Sequence, residues 1–461
     1  MRTGRRHVTA AALVAAIALL GAACGGGGGG GGGNVSAACP AGGGTSPKAV
    51  SGHEPVTLCI WVPFANPELG EFKSVITSFQ QKYPWISVVT VGNKNDTDVL
   101  NAIHAGTAPD VAVEGIPDNA PKYCSTDAYV DLKSNLQADN IDVQKIVPAG
   151  ALAYTSYQGD QCMLPMLTDG YGLYYNTDMF QAAGISSPPK TYSEFFDDMK
   201  KLTQLNSDGS IKVAGFLPLQ TGAYELANFV NGVYSNAQWY GPDGKSTLAT
   251  DPEFQKLLEF TKSMTDYFGY DKLRRWFAQN GGENTEFAPA NLFEHQKLAM
   301  VFDGEWRVGF IKNDKSDVPY ATAPFPVADD HPELYGTGQI GGSTIGIPRD
   351  PAHPDEDWLL VKYLSLDTDA EKALAEQLHN IPTVVGALND SALTSDPHFA
   401  TFLKIFANKY SRYKQINTLG FADSDLYGQF VDKYLAGNVP DLHAGLEALA
   451  KEIDDQLQLG S

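Results

Sequence analysis

Hydrophobic and polar residues along the chain follow periods that predict alternating strands and helices. The stretch from Val56 to Trp61 is almost continuously apolar, as in a buried strand, and the next stretch repeats apolar residues every three or four positions, as in an amphipathic helix. Five elements are predicted in this way, at residues 56–61, 67–82, 86–91, 96–105 and 109–113. Their strand–helix–strand–helix–strand order indicates a parallel sheet with helical crossovers.

The alternation continues through the rest of the chain, which predicts an α/β fold. Further strands are predicted at residues 172–175, 298–303 and 344–347, further helices at 177–183, 191–202 and 251–268, and a mostly helical region from residue 355. Ligands of open α/β sheets bind outside the carboxyl ends of the strands. Functional residues are therefore expected in the loops at 63–68, 114–118, 168–171, 304–306 and 341–343.

The N-terminal segment has the features of an export signal. Three arginines in the first six residues precede an apolar run at 8–20, which is short for a membrane-spanning helix. Small residues then lead to Cys24, so the segment resembles a bacterial lipoprotein signal, although Leu20 lies four residues before the cysteine where that pattern has a leucine three before. The alternative is an ordinary signal peptide with a cysteine nearby. The Arg5-Arg6 pair leaves twin-arginine export open beside the general route.

A flexible tether is expected after Cys24. Glycine fills residues 25–33, and small or polar residues continue to about residue 52. Such a composition buries too little apolar area to offset its chain entropy. We therefore expect a signal peptide at 1–23, a lipid-anchored tether at 24–52 and attachment to the outer face of the cell membrane.

Length and charge narrow the class of function. The chain has 461 residues, which suits two domains, and 43% of them are hydrophobic, which is enough for packed cores. Its formal net charge of −21 at pH 7 disfavours nucleic acid and anionic lipid as partners, since both are negatively charged.

The remaining cysteines predict disulfides. If Cys24 carries a lipid, four are left, namely Cys39, Cys59, Cys124 and Cys162, and an even number in an exported chain indicates pairing. Three pairings can be drawn, and the pairing of sequence neighbours is favoured. No metal or other cofactor is expected, because the chain lacks CxxC and HExxH spacings. The G-x-G-x-x-G at 336–341 leads into a strand instead of opening a helix, so it does not indicate a dinucleotide.

Four segments have a distinctive order of residues. They are AGTAPDV at 105–111, LYYNTD at 173–178, AGI to PKTYSEF over 183–195, and FEHQKLAMVFDGEW at 293–306. Together they resemble the extracellular solute-binding proteins of bacterial ABC importers, of the maltodextrin-binding, family 1 kind. Their order and spacing make the resemblance specific, and it runs from about residue 56 to the C-terminus. Gln296 replaces a frequent glycine, residues 115–123 fit poorly, and the C-terminal third matches only in general character.

The resemblance implies two α/β lobes, each a mostly parallel sheet flanked by helices, joined by a hinge that closes on a sugar. The expected bounds are 53–163 and 301–350 for lobe one, and 164–300 and 351–461 for lobe two. The chain would then be the non-catalytic, monomeric, cofactor-free solute-binding component of an importer, with ABC permease subunits as its partners.

Candidate ligand contacts follow from the chemistry of sugars, which pack on aromatic faces and bind carboxylates and amides through hydroxyls. By resemblance, Trp306 is the stacking tryptophan and Asp169 a hydroxyl-binding carboxylate, with Tyr171 nearby. Glycines at 341 and 342 would let backbone N–H groups approach a ligand, although a tight turn explains them equally. The other candidates, for which a core or rim position is also open, are Phe64, Asn66, Glu68, Glu114, Asp118, Tyr224, Trp239, Tyr240, Trp276, Gly341, Gly342 and Ser343.

Two other functions stay open from the sequence. A secreted glycosidase needs two carboxyl groups about 5 to 10 Å apart, and no such pair stands out. The same fold could bind a polyamine or another cationic solute if the acidic candidates cluster. A phosphate ligand would need Arg or Lys in these loops, which are acidic and aromatic instead.

Overall fold

Two larger β-sheets, a small two-stranded sheet and the helices around them form the described part of the chain. The computed structural model describes residue 39 and residues 45–219, 237–286 and 290–459, which belong to one compact unit. In chain order the strands are β1 (Val56–Trp61), β2 (Ile86–Val91), β3 (Val111–Glu114), β4 (Leu164–Pro165), β5 (Asp169–Asn176), β6 (Gln204–Leu205), β7 (Ile211–Val213), β8 (Met300–Gly304), β9 (Tyr320–Ala323), β10 (Ile340–Gly341) and β11 (Thr344–Gly346).

The helices separate these strands and dominate the last hundred residues, as the sequence predicts. In chain order they are α1 (Glu68–Lys82), α2 (Asp96–Ala105), α3 (Ala120–Ser125), α4 (Lys133–Ala138), α5 (Ala149–Leu152), α6 (Thr177–Ala182), α7 (Tyr192–Leu202), α8 (Pro252–Phe268), α9 (Tyr270–Gln279), α10 (Trp306–Asn313), α11 (Pro354–Leu366), α12 (Thr368–Leu378), α13 (Ser391–Thr394), α14 (Pro397–Ala407), α15 (Ala422–Leu435) and α16 (Leu442–Leu459).

Local sequence explains the limits of α2, which agree with the predicted ones to the residue. The side chain of Asn95 accepts the backbone N–H of Asp98 at 2.9 Å, and the Asp98 carboxylate accepts that of Asn95 at 3.2 Å. This reciprocal pair satisfies two N–H groups that the first helical turn leaves open. The helix ends at Gly106, whose φ of 68° is a left-handed value that glycine adopts without strain.

The first sheet has the strand order β2–β1–β3–β11–β4. Strand β1 is parallel to β2 and β3, whereas β11 is antiparallel to β3 and β4. Helix α1 covers one face of this sheet with the side chains that its periodicity predicts, which are Phe72, Val75, Ile76 and Phe79, all buried. Burial of each such side chain stabilises the fold by roughly 1.5–3 kcal/mol.

The second sheet centres on β5 and corrects the expectation of mostly parallel pairing. Its order is β10–β5–β8, with β9 also pairing with β5, and all of these pairs are antiparallel. Parallel neighbours need a crossover inside one sheet. Helices α1 and α2 provide such crossovers for the first sheet. The strands that pair with β5 instead come from distant parts of the chain.

The lobe bounds predicted from the resemblance also need correction. We call the first sheet with its helices lobe one and the second sheet with its helices lobe two. Strands β8 and β9, expected in lobe one, pair with β5 in lobe two. Helices α11 and α12, expected in lobe two, pack on β1, β3, β4, β11 and α1 in lobe one. Hydrophobic periodicity identifies a strand or helix but does not tell which sheet it joins.

The chain passes between the two sheets at three places. The first is between β4 and β5, at residues 166–168, and the second is between β10 and β11, at residues 342–343. The third follows α12, where Ile381 forms an antiparallel bridge with Thr168. After this crossing α14 packs on β5 and β9, and α15 packs on α8.

Both favoured disulfides are confirmed. Cys39 pairs with Cys59 on β1, and Cys124 of α3 pairs with Cys162, with Cα–Cα distances of 5.8 and 5.5 Å. All four cysteines are buried in one hydrophobic cluster of lobe one. Among the described residues no helix is both long enough and apolar enough to cross a membrane.

Asp357 in the first turn of α11 is a buried acid without a cationic partner among the described residues. Burial, followed by the nearby charges of Asp110 and Glu356, raises its pKa from 3.8 to about 9. Because the pKa of this acid is higher in the folded than in the unfolded state, its burial costs no stability below the unfolded-state pKa. The protein then loses stability as the pH rises from the unfolded-state pKa to the folded-state pKa.

We therefore expect Asp357→Asn to raise the melting temperature at about pH 8 and to change it little at about pH 4. The difference in unfolding free energy at the higher pH should reach a few kcal/mol, since each pKa unit corresponds to about 1.4 kcal/mol. Asp355→Asn, an exposed acid in the same turn, is the matched control. Melting curves that show no pH-dependent difference between the two variants would contradict this interpretation.

Candidate functional site

The crossings bring several predicted loops together. Gly341 lies opposite Asp169 across β10 and β5, and Gly304 lies opposite Tyr171 across β8 and β5. The third crossing adds Asn380, a residue that the sequence did not single out. We call Asp169, Tyr171, Glu305, Trp306 and Asn380 the crossover cluster.

Two carboxyl groups form the polar part of the crossover cluster. The side-chain amide of Asn380 donates to Asp169 Oδ1 and to Glu305 Oε1, both at 2.9 Å. Glu305 Oε2 accepts the backbone N–H of Gly170 at 2.8 Å. Glu305 is fully buried and both of its oxygens are occupied, whereas Asp169 is half-buried. Asp169 is thus the carboxyl group of this pair that can meet a ligand, and Glu305 and Asn380 position it.

Burial favours the protonated forms of both acids. Burial raises the pKa of Glu305 well above its usual range, and the charge of Asp169 adds to this. Burial raises the pKa of Asp169 to about 7, against the lowering effect of hydrogen bonds with Asn380 and Glu305. Two carboxylates in one buried place cannot both be charged without a cation between them.

Glu68 adds a third carboxyl group from lobe one. It begins α1, is half-buried, and its pKa is raised to about 7 by burial and then by the charges of Glu71 and Asp169. The charge of Asp169 contributes to the raised pKa of Glu68, so the two lobes bring these acids near each other.

Aromatic rings form the other wall. The rings of Tyr171 and Trp306 meet edge to face, with centroids 5.4 Å apart and an interplanar angle of 89°. Trp306 is half-buried, and its Nε1 has no hydrogen-bond partner among the described residues. A Cβ on Gly304 would lie 2.2 Å from the Trp306 ring, so only glycine at this position lets the indole lie across the end of β8.

A buried ion cluster that the sequence did not reveal fixes the start of α10. Arg307 pairs with Asp303 at 2.7 Å and Glu294 at 3.2 Å, and it donates to the carbonyl oxygen of Glu286 at 2.7 Å. Arg307 is fully buried, so removal of either acid would leave charge in a low-dielectric interior. The cluster therefore holds the neighbouring Glu305 and Trp306 in place.

Other candidates lie outside the crossover cluster. Glu114 is fully buried and accepts hydrogen bonds from the hydroxyls of Tyr123 and Tyr129, with burial raising its pKa well above the usual range. Asp118 is buried in an ion pair with Lys414. Neither acid has an exposed oxygen to offer a ligand in this conformation.

The aromatic and loop candidates divide into core residues and residues nearer the surface. Trp239 and Trp276 are 2% and 6% exposed, so both are core residues here. Phe64 is half-buried with its ring 5.5 Å from Phe72, and Asn66 is exposed. Tyr224 lies outside the described residues.

The glycine pair is explained by packing. Gly342 has a φ of 127°, and a Cβ there would lie 2.1 Å from the carbonyl oxygen of Leu167. The carbonyl of the half-buried Ser343 accepts the N–H of Met166 at 2.9 Å. The close approach at Gly342 is therefore between two crossing segments of the chain.

Two cavities among the described residues lie away from the crossover cluster. Cavities of about 460 and 450 Å³ lie between α15 and α16 and between α7 and α8. The crossover cluster is recognised instead by its chemistry and its place at the three crossings.

Comparison with known proteins places the chain in a family. Residues 74–401 match the family described as bacterial extracellular solute-binding protein. This chain belongs to that family. A maltotriose-binding protein of Pyrococcus abyssi (strain GE5 / Orsay) is 22% identical to this solute-binding protein over 402 residues, which cover 87% of this chain and 81% of the relative.

Solved structures show that the solute-binding protein has the two-lobe fold. CpMnBP1 with mannotriose bound superposes with a TM-score of 0.74 at 23% identity, over 86% of this chain and 99% of that chain. The sugar-binding protein MalE from Xanthomonas citri gives a TM-score of 0.68 at 19% identity, over 87% and 97%. The α/β fold implied by the resemblance is confirmed, with the sheet pairing corrected above.

Substitution of Gly304 tests whether packing holds the Trp306 ring. We expect Gly304→Ala to displace the indole, to change the near-ultraviolet circular dichroism of tryptophan and to lower stability by roughly 1–3 kcal/mol, as overpacking does. Gly70→Ala in α1 is the control, because the nearest atom to its added Cβ is 4.0 Å away. A Gly304→Ala protein with the parent's spectrum and melting temperature would refute this packing role.

Proposed function

We propose that this solute-binding protein captures a neutral carbohydrate between its lobes and delivers it to an ABC permease. The observation behind this proposal is the half-buried Asp169 carboxyl beside the half-buried Trp306 ring at the crossings. An aromatic face and a hydroxyl acceptor are what a pyranose ring needs. The names of the relatives, which bind maltotriose and mannotriose, support the same class of ligand.

Hinge closure is the proposed mechanism of capture. The ligand would contact Asp169 and Trp306 of lobe two and Glu68 of lobe one, so it would favour the closed conformation by its larger affinity for it. No covalent step is needed, and we propose that the protein is a monomer without catalytic activity or cofactor.

A cationic ligand is the second candidate. Glu68, Asp169 and Glu305 bring three acids near one place, which is the specific observation in its favour. Their raised pKa values weaken the case, because a partly protonated cluster attracts a cation less strongly than an ionised one. Glu114 and Asp118 do not join this cluster.

A thermal-shift screen of the purified protein distinguishes the two classes. The panel contains maltotriose, mannotriose, their monosaccharides and disaccharides, and spermidine. A ligand at about 100 times its Kd should raise the unfolding free energy by about 2.7 kcal/mol. For a chain of this size the melting temperature should then rise by a few degrees. We expect a saccharide to give the shift, and Trp306→Ala and Asp169→Asn each to abolish it.

Matched controls are Tyr267→Ala and Asp178→Asn, which change an exposed aromatic and an exposed acid elsewhere in lobe two and should keep the shift. A shift from spermidine with none from any saccharide would reject the carbohydrate and leave the family assignment intact. A saccharide shift that survives in both site variants would reject the site.

We further propose that Cys24 carries a lipid that anchors the protein outside the cell. Residue 24 lies outside the described residues, so the support is the sequence alone: a basic start, a short apolar run and small residues before the cysteine. The family's extracellular location is consistent with an export signal. The glycine-rich stretch that follows would let the lobes turn freely above the membrane.

Fractionation of cells that express the full chain tests the anchor. We expect the parent protein in the membrane fraction and Cys24→Ala in the soluble exported fraction, since one lost lipid removes the main membrane contact. Ser36→Ala, a change in the expected tether that leaves Cys24 in place, is the control and should stay in the membrane fraction. A Cys24→Ala protein that stays with the membrane would overturn the proposal.

A further inference from the structure

The two lobes also touch through a buried ion pair beside the crossings. Asp118 lies in a short 3-10 helix, Pro117–Asn119, that follows β3 in lobe one. Lys414 lies in the segment between α14 and α15 in lobe two. Their side chains form an ion pair, and each is only 1% exposed. The hydroxyl of Tyr413 donates to the same Asp118 carboxylate.

Lys414 has a second acidic partner within its own lobe. Its ammonium group lies 2.7 Å from Asp423, at the start of α15, and 5.1 Å from the centroid of the Trp239 ring. The Asp423 carboxylate also accepts hydrogen bonds from the Tyr240 hydroxyl at 2.6 Å and from the Asn417 amide at 2.9 Å. Asp423 therefore keeps good partners whether or not Lys414 is present.

Asp118 depends on lobe two for both of its charge-stabilising contacts. Its pKa is raised by burial, and the charge of Lys414 works in the opposite direction. If Lys414 were neutral, the Tyr413 hydroxyl would be left to face the carboxylate, with the charge of Asp423 nearby. A buried carboxylate without a cation is strongly unfavourable, whereas the same carboxylate in water is not.

Packing around the pair indicates that it forms only when the lobes are together. A Cβ on Gly420 of lobe two would lie 2.5 Å from Asn119 Oδ1 of lobe one. The Tyr413 ring lies 5.3 Å from Tyr154, whose hydroxyl donates to the carbonyl of Gly341 at 2.7 Å. The contact is thus at the side of the second crossing, where a change in hinge angle would pull Asp118 away from Lys414.

We propose that Asp118 and Lys414 form an ionic closure contact that stabilises the closed conformation without touching the ligand. In the open conformation Asp118 is hydrated and Lys414 remains with Asp423. On closure Asp118 loses water and gains Lys414, so closure is favourable only in the geometry that brings the two together. The proposal rests on the hinge closure of the proposed function, and it reassigns Asp118 from ligand contact to positioning residue.

The test compares Lys414→Met, Asp118→Asn and the double variant in two measurements. The first is the radius of gyration of the ligand-free protein by small-angle X-ray scattering, and the second is the Kd of the saccharide found in the screen. Lys414→Met should increase the radius of gyration of the ligand-free protein and raise the Kd of the saccharide by about tenfold or more. The reason is that closure then buries the Asp118 carboxylate without a cation. The double variant should recover most of both changes, since a neutral amide in place of the Asp118 carboxylate needs no cation.

Lys409→Met is the matched control, because Lys409 is an exposed lysine of the same segment. It should leave both measurements unchanged. If Lys414→Met does not fold, Asp118→Lys is the second variant: it places two ammonium groups together only in the closed form, and it should enlarge the ligand-free protein in the same way.

Two results would overturn the closure contact. One is a double variant whose radius of gyration and Kd differ from the parent's as much as those of Lys414→Met do. The effect of losing Lys414 would then not depend on Asp118. The other is an unchanged radius of gyration in every variant. Because scattering of the ligand-free protein needs no saccharide, failure of the proposed ligand class and failure of the closure contact give different results.

Discussion

The structure depends on the meeting of three chain crossings at one place, where the amide of Asn380 in the third crossing binds Asp169, just after the first. Asn380 belongs to the third crossing, and its two N–H groups bind Asp169, which follows the first crossing, and Glu305, which follows β8. Ile381 then pairs with Thr168 of the first crossing. Any rotation between the lobes must act through these few residues. The position of Asp169 is therefore coupled to the relative orientation of the two sheets.

Among the described residues, two buried cations each lie between two acids. Arg307 binds Asp303 and Glu294 within lobe two, and Lys414 binds Asp423 within lobe two but Asp118 in lobe one. The first arrangement holds one lobe rigid, and the second links the lobes. Since buried ion pairs contribute geometry more reliably than net stability, both are best understood as constraints on shape. The crossover cluster lacks such a cation among the described residues, and burial raises the pKa values of its two acids, which suits a ligand that brings neutral hydroxyls.

Local patterns predicted much of the fold because the elements concerned are determined by neighbouring residues. The apolar runs and the helical spacing predict the limits of β1, β2 and α2, and all three are confirmed. The structure adds the capping box and the glycine that fix the two ends of α2. The lobe to which a strand belongs is a property of distant pairing. That is why β8 and β9 were expected in lobe one although they pair with β5 in lobe two. The antiparallel second sheet was missed for the same reason.

The candidate site was predictable in part. Trp306 ends one segment with a recognisable order of residues, and Asp169 lies just before another. The structure brings them together because β5, which begins at Asp169, pairs with β8, which ends just before Glu305 and Trp306. Asn380 and Lys414 lie in the helical C-terminal third, where no motif marks a functional residue. Asp118 and Glu114 were candidates because they follow a predicted strand, whereas Asp169 precedes one and was singled out by the family resemblance. Only burial and partners separate an acid that binds Lys414 or two tyrosines from one that keeps an exposed edge.

The most direct measurement is a crystal structure of the protein grown with the saccharide that stabilises it most. We expect a pyranose ring against the Trp306 indole, a sugar hydroxyl within hydrogen-bond distance of Asp169, and the pair Asp118–Lys414 intact and away from the sugar. A saccharide held by Asp118 or Glu114, or bound away from the crossings, would contradict this view of the molecule.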